Sequence, residues 1–391
     1  MANKVPVVVG TIGAGYAATL HGNGYKKVNG VDLKLKGISD VFIEKAEKVK
    51  EDYGYEYATK DYHDLLNDPE INVIDIVTPP FLHINLVKEA ILAGKNVICE
   101  KPLTGYFGEK GQENVGLTPK KEMYDKVMAE LDDLKAVIDK SSAKFMFAEN
   151  FVYVPAIQKA AEIVKAKDSR ICFMKGEESL KGSSSPVAGK WSANGGGILS
   201  RTGCHPLGGI LWLKQQEARA RGEELKIVSV TCDTGTIQHG LKKEEIKYFT
   251  TYPEDVEDYG NITITFADQS KALIIACDCC LGYTKNYVEV YTNDSTMMCN
   301  ITPTDLMDTY FLDENGLENV AISEMLPKKL GWNKAFVCDP VIRGYVDEMQ
   351  NFCDTVAYDL EPVSNFELAY NVTKVLHAAY VAAEEGHRVD F

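Results

Sequence analysis

The sequence has no run of apolar residues that approaches the roughly 20 needed for a membrane-spanning helix. Positive charge is also scarce, because 42 Lys and Arg stand against 57 Asp and Glu, for a formal net charge of −15. Phosphate backbones and anionic lipids repel an acidic protein of this kind, so we expect neither a nucleic-acid partner nor a membrane partner. The first ten residues also lack the basic segment, apolar stretch and cleavage site that together mark a secretory signal.

The ten cysteines are scattered along the chain and do not have the spacing of a disulfide framework. Reduced thiols are typical of the cytosol, so we predict a cytoplasmic protein. Cys277, Cys279 and Cys280 lie close together, but no second C-x-x-C pair or pair of histidines accompanies them. A packed or edge strand accounts for this segment better than a metal cluster, and we predict no metal site.

Hydrophobic periodicity divides the 391 residues into two parts. In residues 1–150, short β-rich runs alternate with longer helical spacings, which predicts βαβ units and a doubly wound parallel sheet. In residues 151–391, alternating segments predict antiparallel strands of an α+β domain, in which helices after residue 167 are expected only at 341–358 and 365–385. The glycine-rich residues 105–119 are expected to form an inserted loop beside the ligand site.

A nucleotide-binding fingerprint follows the first predicted strand. Residues 13–18 read G-x-G-x-x-A, with Gly13 placed for a tight turn and Gly15 for close approach of a pyrophosphate. Asp40 lies at the end of the second predicted strand, where an acid would hydrogen-bond the 2′-hydroxyl of a ribose. The alternatives are a glycine-rich turn without a ligand and an N-cap role for Asp40. Together the two features favour a dinucleotide site, to which the same turn contributes Tyr16 and Ala17.

Two residues further along the chain have side chains suited to proton transfer. Lys101 follows Glu100 at the carboxyl end of a predicted parallel strand, where doubly wound folds bind ligands. Its ammonium group can lie over a substrate hydroxyl, although a solvated ion pair with Glu100 is the alternative. His205 follows a glycine triplet at residues 195–197. Histidine titrates near neutral pH and suits acid–base catalysis, while a histidine packed in the core is the alternative.

In their order and spacing, these residues resemble the Gfo/Idh/MocA oxidoreductase family over nearly the whole chain. The resemblance implies a Rossmann domain (residues 1–150) followed by a substrate-binding and oligomerisation domain (residues 151–391) built on a large, mostly antiparallel open sheet. Such a sheet has a wide face to cover, so we expect a homo-oligomer. The matching segments are the fingerprint ending in His21, Thr78-Pro79-Pro80 with His83, residues 93–97 leading into Glu100-Lys101-Pro102, the glycine triplet with His205, and residues 386–389.

The resemblance implies an NAD-dependent enzyme that oxidises or reduces hydroxyl groups of sugars, inositols and related alcohols. It assigns Lys101 as the active-site lysine and His205 as the catalytic histidine. NAD is expected rather than NADP, since Asp40 would repel a 2′-phosphate and no arginine follows it closely. Beyond the fingerprint, the resemblance extends the cofactor site to Thr78, Pro79, His83, Glu100 and Lys101.

The sequence departs from the family pattern around the histidine. Many members carry an aspartate four residues before it and an acid three residues after it, whereas this chain has Arg201 and Gly208. We expect Arg201 either to point toward the imidazole or to face away and hold a substrate hydroxyl or a carboxylate such as Glu177 or Glu178.

A narrower resemblance concerns the insertion after Pro102 together with residues 148–155 and 201–209. These segments are similar to the gut-bacterial glycoside 3-oxidising enzymes of the DgpA type. The similarity implies oxidation of the 3-hydroxyl of a glucoside, as the first step of C-glycoside deglycosylation. Predicted substrate contacts are Asn150, Tyr153 and Arg201.

Three other functions remain open. The chain could be a dehydrogenase of inositol or of another polyol or sugar. It could be an NAD-assisted glycosidase or lyase of the same family, in which transient oxidation leads to loss of a leaving group. A non-catalytic NAD-sensing protein is the third, and it would require Lys101 and His205 to be spectators.

Overall fold

Six strands form the first sheet of the computed structural model, which describes residues 4–302, 306–318, 320, 330–335 and 337–391. The strands are β1 (Val7–Ile12), β2 (Leu33–Ser39), β3 (Tyr57–Thr59), β4 (Val73–Ile76), β5 (Asn96–Glu100) and β6 (Phe145–Ala148). Their order is β3-β2-β1-β4-β5-β6, and every neighbouring pair is parallel. The strand order reverses between β1 and β4, and doubly wound sheets bind ligands at such a switch point.

Helices follow five of these strands. They are α1 (Tyr16–Tyr25), α2 (Ile43–Tyr53), α3 (His63–Asn67), α4 (His83–Leu92) and α5 (Lys120–Ile138). Glycine lowers helix propensity, yet α1 contains two glycines because two neighbours pack closely on it. A Cβ at Gly22 would lie 2.5 Å from the ring of Tyr53, and one at Gly24 would lie 2.6 Å from Cγ of Met349.

The second sheet has seven strands. They are β7 (Ile171–Ser179), β8 (Ile227–Gly235), β9 (Tyr259–Phe266), β10 (Lys271–Cys277), β11 (Lys285–Thr292), β12 (Thr296–Thr302) and β15 (Val389–Asp390). Their order is β12-β11-β7-β10-β9-β8-β15, in which only the β7–β10 pair is parallel. Strands β13 (Asp308–Phe311) and β14 (Gly331–Lys334) form a separate hairpin. The predicted fold class, a parallel sheet followed by a large, mostly antiparallel sheet, is confirmed.

The helices of the second half pack on this sheet and also return to the first one. They are α6 (Pro155–Lys167), α7 (Trp191–Asn194), α8 (Cys204–Ala220), α9 (Asp339–Ile342), α10 (Tyr345–Ala357) and α11 (Phe366–Glu385). Helix α10 packs on α1, and the amide of Val5 donates to the carbonyl of Ala357 at 3.0 Å. One continuous hydrophobic core therefore includes strands of both sheets. None of the described helices combines the length and apolar character that a membrane span needs.

Helix α8 is the main element that the periodicity analysis misses, and the expectation of late helices only at 341–358 and 365–385 is wrong. The helix contains Pro206, Gly208 and Gly209 in its first two turns, and these residues have low helix propensity. Nearly all of its side chains are buried, so it has no polar face to give a helical period. A π-helical turn, Leu199–Gly203, leads into it.

Two further strand predictions need correction. Strand β10 ends at Cys277, so Cys279 and Cys280 lie in the turn after the strand and not within it. Strand β12 was not predicted, because its alternation is weak and two of its residues, Met297 and Met298, are partly or fully exposed.

The inserted segment at residues 105–119 is held against the second domain for much of its length. The indole Nε1 of Trp191 donates to the carbonyl of Tyr106 at 3.0 Å, and the amide of Gly116 donates to Oδ2 of Asp255 at 2.9 Å. A Cβ at Gly105 would lie only 2.9 Å from Cα of Gly195. Residues 105–106 and 115–116 are thus buried and packed in place, while residues 109–111, 113–114, 117 and 119 are exposed.

Candidate active site

The fingerprint turn has the shape that a pyrophosphate requires. Gly13 has a φ of +105°, and a Cβ there would lie 2.8 Å from the carbonyl oxygen of Val77, so only glycine fits. At Gly15, the residue before α1, a Cβ would meet no described heavy atom within 4 Å. The amino end of α1 therefore faces open space. Tyr16 is exposed there and Ala17 is half-buried.

Asp40 braces this turn. Its Oδ2 accepts a hydrogen bond from the amide of Ala14 at 2.8 Å, and its Oδ1 accepts one from the amide of Phe42 at 2.9 Å. Helix α2 begins at Ile43 with Phe42 as its N-cap residue, so Asp40 is not the N-cap of that helix. The carboxylate lies at the carboxyl end of β2, next to the glycine turn, as expected of a ribose-binding acid.

The loop after β4 supplies the next part of the cleft. Pro79 is exposed, and the Thr78 hydroxyl is a buried group that has no hydrogen-bond partner among the described residues. Buried hydroxyls normally form a hydrogen bond, so the unpaired hydroxyl of Thr78 fits a hydrogen bond to a bound ligand. Together with the open space at Gly15, it fits a dinucleotide lying across the strand ends.

His83 lies beneath this loop and is completely buried. Its Nε2 is 2.9 Å from the carbonyl of Thr78, and its Nδ1 is 2.9 Å from the carbonyl of Pro102. Burial lowers the pKa of His83, so a neutral ring donates to one carbonyl at a time. His83 therefore ties the loops after β4 and β5 together, and any effect on a cofactor would pass through those loops.

Glu100 is held by a buried histidine that the sequence pattern did not identify as part of the site. The Nδ1 of His21 lies 3.0 Å from Asp75, and its Nε2 lies 3.2 Å from Oε1 of Glu100. Burial alone would lower the pKa of His21, but the two carboxylates raise it well above its usual value. Burial raises the pKa of Glu100, yet His21 and Lys101 outweigh it and leave that pKa lowered. Glu100 is thus an ionised group that also accepts from the amide of Lys101.

Lys101 reaches from the first domain to the second. Its Nζ donates to the carbonyl of Arg201 at 2.8 Å, within the π-helical turn that leads into α8. Burial alone would lower the pKa of Lys101, but Cys204 and the surrounding carboxylates raise it above its usual value. The side chain therefore carries its proton and acts as a hydrogen-bond donor. The carboxylates concerned are those of Glu100, Glu149 and Glu178.

His205 is the second residue of α8, and its ring is almost completely buried. Its Nδ1 lies 2.7 Å from Oε1 of Glu149, the first residue after β6. The ring stacks on Phe151, with centroids 5.2 Å apart and planes 17° apart. The neighbouring helix residue, Cys204, is also buried, and burial raises the pKa of its thiol to about 12. Glu149 lies within residues 148–155, which carry the narrower resemblance, but sequence reasoning gave it no role.

Among the described residues, ligand atoms of Glu149, Cys204 and His205 lie within 4.8 Å of one another, which is close enough for a metal ion to bridge them. Two features favour hydrogen bonding instead. The thiol is protonated at neutral pH, and the ammonium group of Lys101 supplies a positive charge nearby. The prediction of no metal site remains a prediction.

Arg201 does not point toward the imidazole and does not pair with Glu177 or Glu178. Its guanidinium forms a buried ion pair with Asp278, in the turn after β10. Burial raises the pKa of Asp278 to about 6, although Arg201 opposes that shift. The pair fixes the π-helical turn to the second sheet. One edge of Arg201 also lines the cleft.

Asn150 and Tyr153 are placed away from this cleft. The side-chain amide of Asn150 donates to the carbonyl of Arg343 at 2.8 Å. The hydroxyl of Tyr153 donates to Asn351 at 3.0 Å and accepts from the amide of Ser364 at 3.2 Å. Both side chains are buried and their polar groups are satisfied by the C-terminal segments. This placement favours structural roles for both side chains, and their substrate contacts stay a prediction.

A cleft of about 350 Å³ runs between the two domains above Lys101. Its walls combine Tyr16 of the fingerprint turn with polar residues of the second domain. Among these, Ser183 and Ser184 supply hydroxyl groups at the mouth of the cleft. The lining residues are Tyr16, Pro80, Lys101, Pro102, Leu180, Ser183, Ser184, Asn194, Arg201 and Thr202.

The Arg201–Asp278 pair leads to a pH-dependent stability prediction. In Arg201→Ala, Asp278 is left buried without its cation, which costs about 3–5 kcal/mol of unfolding free energy when Asp278 is ionised. A carboxyl whose pKa is raised on folding loses stability as pH rises through that raised pKa. The deficit of Arg201→Ala should therefore be larger at pH 8 than at pH 5, as measured by thermal unfolding. In Arg201→Ala/Asp278→Asn the deficit should not vary with pH, and a pH-independent deficit in the single variant would contradict the prediction.

Most of the first domain is similar in sequence to known oxidoreductases. Residues 7–121 match the family model described as "Oxidoreductase family, NAD-binding Rossmann fold" of the Gfo/Idh/MocA family. The uncharacterized oxidoreductase YrbE of Bacillus subtilis is 38% identical over 106 residues, which cover 27% of this chain and 30% of that protein. Levoglucosan dehydrogenase of Pseudarthrobacter phenanthrenivorans is 31% identical over 164 residues, covering 40% of this chain and 36% of the relative. The matched segments thus span about a third of each relative's length.

Solved structures extend the likeness to the whole chain at the level of the fold. The structure of GenD2 from gentamicin A biosynthesis, in complex with NAD, superimposes with a TM-score of 0.80. The alignment covers 100% of this chain and 98% of GenD2 at 20% identity. Residues 7–121 therefore match the NAD-binding Rossmann model of the Gfo/Idh/MocA oxidoreductase family, and the whole chain has a two-domain fold like that of GenD2.

Proposed function

We propose that this protein is an NAD-dependent oxidoreductase that acts on a ring hydroxyl of a sugar or glycoside. The observation that carries the proposal is the junction of the two domains. There, Lys101 donates from the end of β5 to the turn that leads into the helix bearing His205, directly beneath a polar cleft. Lys101 follows the end of β5, at the same edge of the sheet as the glycine turn that offers a dinucleotide site.

The two residues have complementary roles in alcohol oxidation. Bound NAD supplies the acceptor for the hydride that leaves the substrate carbon. His205 accepts the proton of the hydroxyl group as a general base, which typically contributes about 10²–10⁴-fold. Lys101 carries its proton already, so it donates a hydrogen bond to the same oxygen and stabilises the alkoxide character that develops there. The products are a ketone and a protonated His205, so one hydride and one proton leave the substrate.

Substitution of either residue tests these roles. Lys101→Ala and His205→Ala should each lower single-turnover hydride transfer by about 10²–10⁴-fold. NAD affinity should change by only a few-fold, because both groups act on the substrate oxygen. The measurements are stopped-flow absorbance of NADH and fluorescence titration of the cofactor. His63→Ala is the matched control, since that histidine is exposed and pairs with Asp61 on the surface. Near-normal hydride transfer by either site variant would contradict the assignment of that residue.

Cofactor choice is a separate proposal, and we expect NAD to bind more tightly than NADP. The Asp40 carboxylate would repel a 2′-phosphate, and Val41 and Phe42 offer no positive charge. Asp40→Ser combined with Val41→Arg should shift the NADP/NAD affinity ratio roughly tenfold or more, since tenfold corresponds to about 1.4 kcal/mol. Glu44→Ser removes a neighbouring acid outside the turn and should leave the ratio unchanged. Equal or tighter NADP binding by the unaltered protein, measured by titration, would contradict the proposal.

For the substrate, we propose the 3-hydroxyl of a glucosyl unit. Two observations support a sugar: one relative is named a levoglucosan dehydrogenase, and the cleft offers the hydroxyls of Ser183 and Ser184 beside Asn194. The 3-position comes from the resemblance to DgpA-type enzymes in the inserted segment and around residues 148–155 and 201–209. Because Trp191 and Asp255 hold the insertion, we expect it to form a fixed wall for a bulky aglycone.

The substrate proposal predicts a definite product. Purified protein incubated with a C- or O-glucoside and a 3-oxo-glucose acceptor should give a carbonyl at C3, identified by NMR. A carbonyl at C1, C2 or C4, or turnover of inositols only, would refute the regiochemistry. Free aglycone without net oxidation would support the glycosidase or lyase alternative.

Two other sequence predictions remain proposals. A homo-oligomer is supported by apolar side chains on the outer face of the second sheet. Leu273 and Ile275 are partly exposed there, and Met298 is 55% exposed. The cytoplasmic location still depends on the scattered cysteines alone.

A further inference from the structure

The carboxylate of Glu149 is the most completely buried charge near His205. Its side chain is 0% exposed, and Oε1 lies 2.7 Å from Nδ1 of His205. The same oxygen is 3.3 Å from the amide of Phe151, whose ring stacks on the imidazole. A buried carboxylate requires compensation by charge or hydrogen bonds, and here the compensation comes from the histidine and from nearby Lys101.

A glycine on α8 makes room for this carboxylate. A Cβ at Gly208 would lie 2.6 Å from Cγ and 3.0 Å from Cδ of Glu149, so any larger residue would displace Glu149 from His205. Position 208 is three residues after His205, and residues three apart share a helix face. The other oxygen, Oε2, lies 3.2 Å from the same point and has no hydrogen-bond partner among the described residues. The side chain of Glu149 therefore fills the space that a side chain at position 208 would need.

We propose that Glu149 is the positioning residue of His205, supplied from the end of β6, and that Gly208 is required for it to reach the ring. A carboxylate can only accept, so its contact with Nδ1 selects the tautomer with the proton on Nδ1. That tautomer leaves the lone pair on Nε2 for the substrate proton. The carboxylate also stabilises the imidazolium that forms when the proton arrives. The catalytic role of Glu149 rests on the proposed function. The tautomer expected for His205 does not depend on that function.

The tautomer is measured directly by ¹⁵N NMR of histidine-labelled protein. The chain has seven histidines, and His205→Asn assigns the signal. In the unaltered protein we expect Nδ1 to be protonated. In Glu149→Ala we expect the population to move toward the Nε2–H tautomer. Glu217→Ala is the control, since it removes another buried carboxylate that contacts Lys214 on α8. It should leave the His205 signal unchanged.

Kinetics of a swapped carboxylate supply the second test. Glu149→Ala should lower kcat by about 10²–10⁴-fold with little change in KM for the glucoside. Gly208→Asp alone should be defective, because its Cβ would collide with Glu149. Combined as Glu149→Ala/Gly208→Asp, the new aspartate can enter the vacated space, and we expect recovery of at least tenfold in kcat over Glu149→Ala. Glu149→Gln, which keeps the shape but not the charge, should retain the fold and still lose kcat.

Several outcomes would overturn the proposal. One is an unchanged His205 tautomer in Glu149→Ala, and another is a double variant no faster than Glu149→Ala. A third is a stoichiometric metal in the purified protein that both Glu149→Ala and Cys204→Ala lose, because these residues would then form a metal centre with His205. If the tautomer shifts as expected but His205→Ala keeps full turnover, Glu149 still positions the ring, and it is the general-base role in the proposed function that fails.

Discussion

A buried series of charges fixes the position of Lys101, and the candidate site depends on it. The hydroxyl of Tyr25 and the ring of His21 both bond to Asp75, and His21 in turn contacts Glu100, which accepts from the amide of Lys101. Isolated buried charges are costly, so each member keeps the others in place. The series begins on helix α1, immediately behind the glycine turn. The candidate cofactor site and the candidate active-site lysine are therefore parts of one network.

The second domain completes this arrangement through backbone and side chains alike. The carbonyl of Arg201 accepts from Lys101, while its guanidinium is committed to Asp278. Arg201 thus places the π-helical turn relative to both domains at once. His205 follows within one turn of helix, and Glu149 contacts it from the first domain's last strand. A carboxylate of the first domain contacts each candidate catalytic residue, since Glu100 accepts from the backbone amide of Lys101 and Glu149 contacts the ring of His205.

The first domain could be predicted well from the sequence because its strands and helices have strong, local periods. Helix α8 could not, since Pro206 and two glycines weaken its propensity and burial on all sides removes its polar face. Lys101 was placed at a strand end and His205 after a glycine triplet, and their predicted roles came from the resemblance to the Gfo/Idh/MocA family. Glu149 and Asp278 were not identified, because their partners lie 56 and 77 residues away along the chain. Only the position of Glu149 at a strand end offered a signal. Such pairings depend on tertiary packing, which the local sequence pattern does not reveal.

Helix α10 has a consequence for how the chain matures on the ribosome. It covers α1, in which Gly24 leaves room for Met349, and Val5, two residues before β1, donates its amide to the carbonyl of Ala357. Domains generally fold from the N-terminus during synthesis, at about 5–20 residues per second. Roughly 200 residues separate the end of β6 from Ala357, so about 10–40 s pass before the nucleotide domain receives its last helix. Before α10 is synthesised, the surface of α1 around Gly24 lacks the helix that covers it in the complete fold.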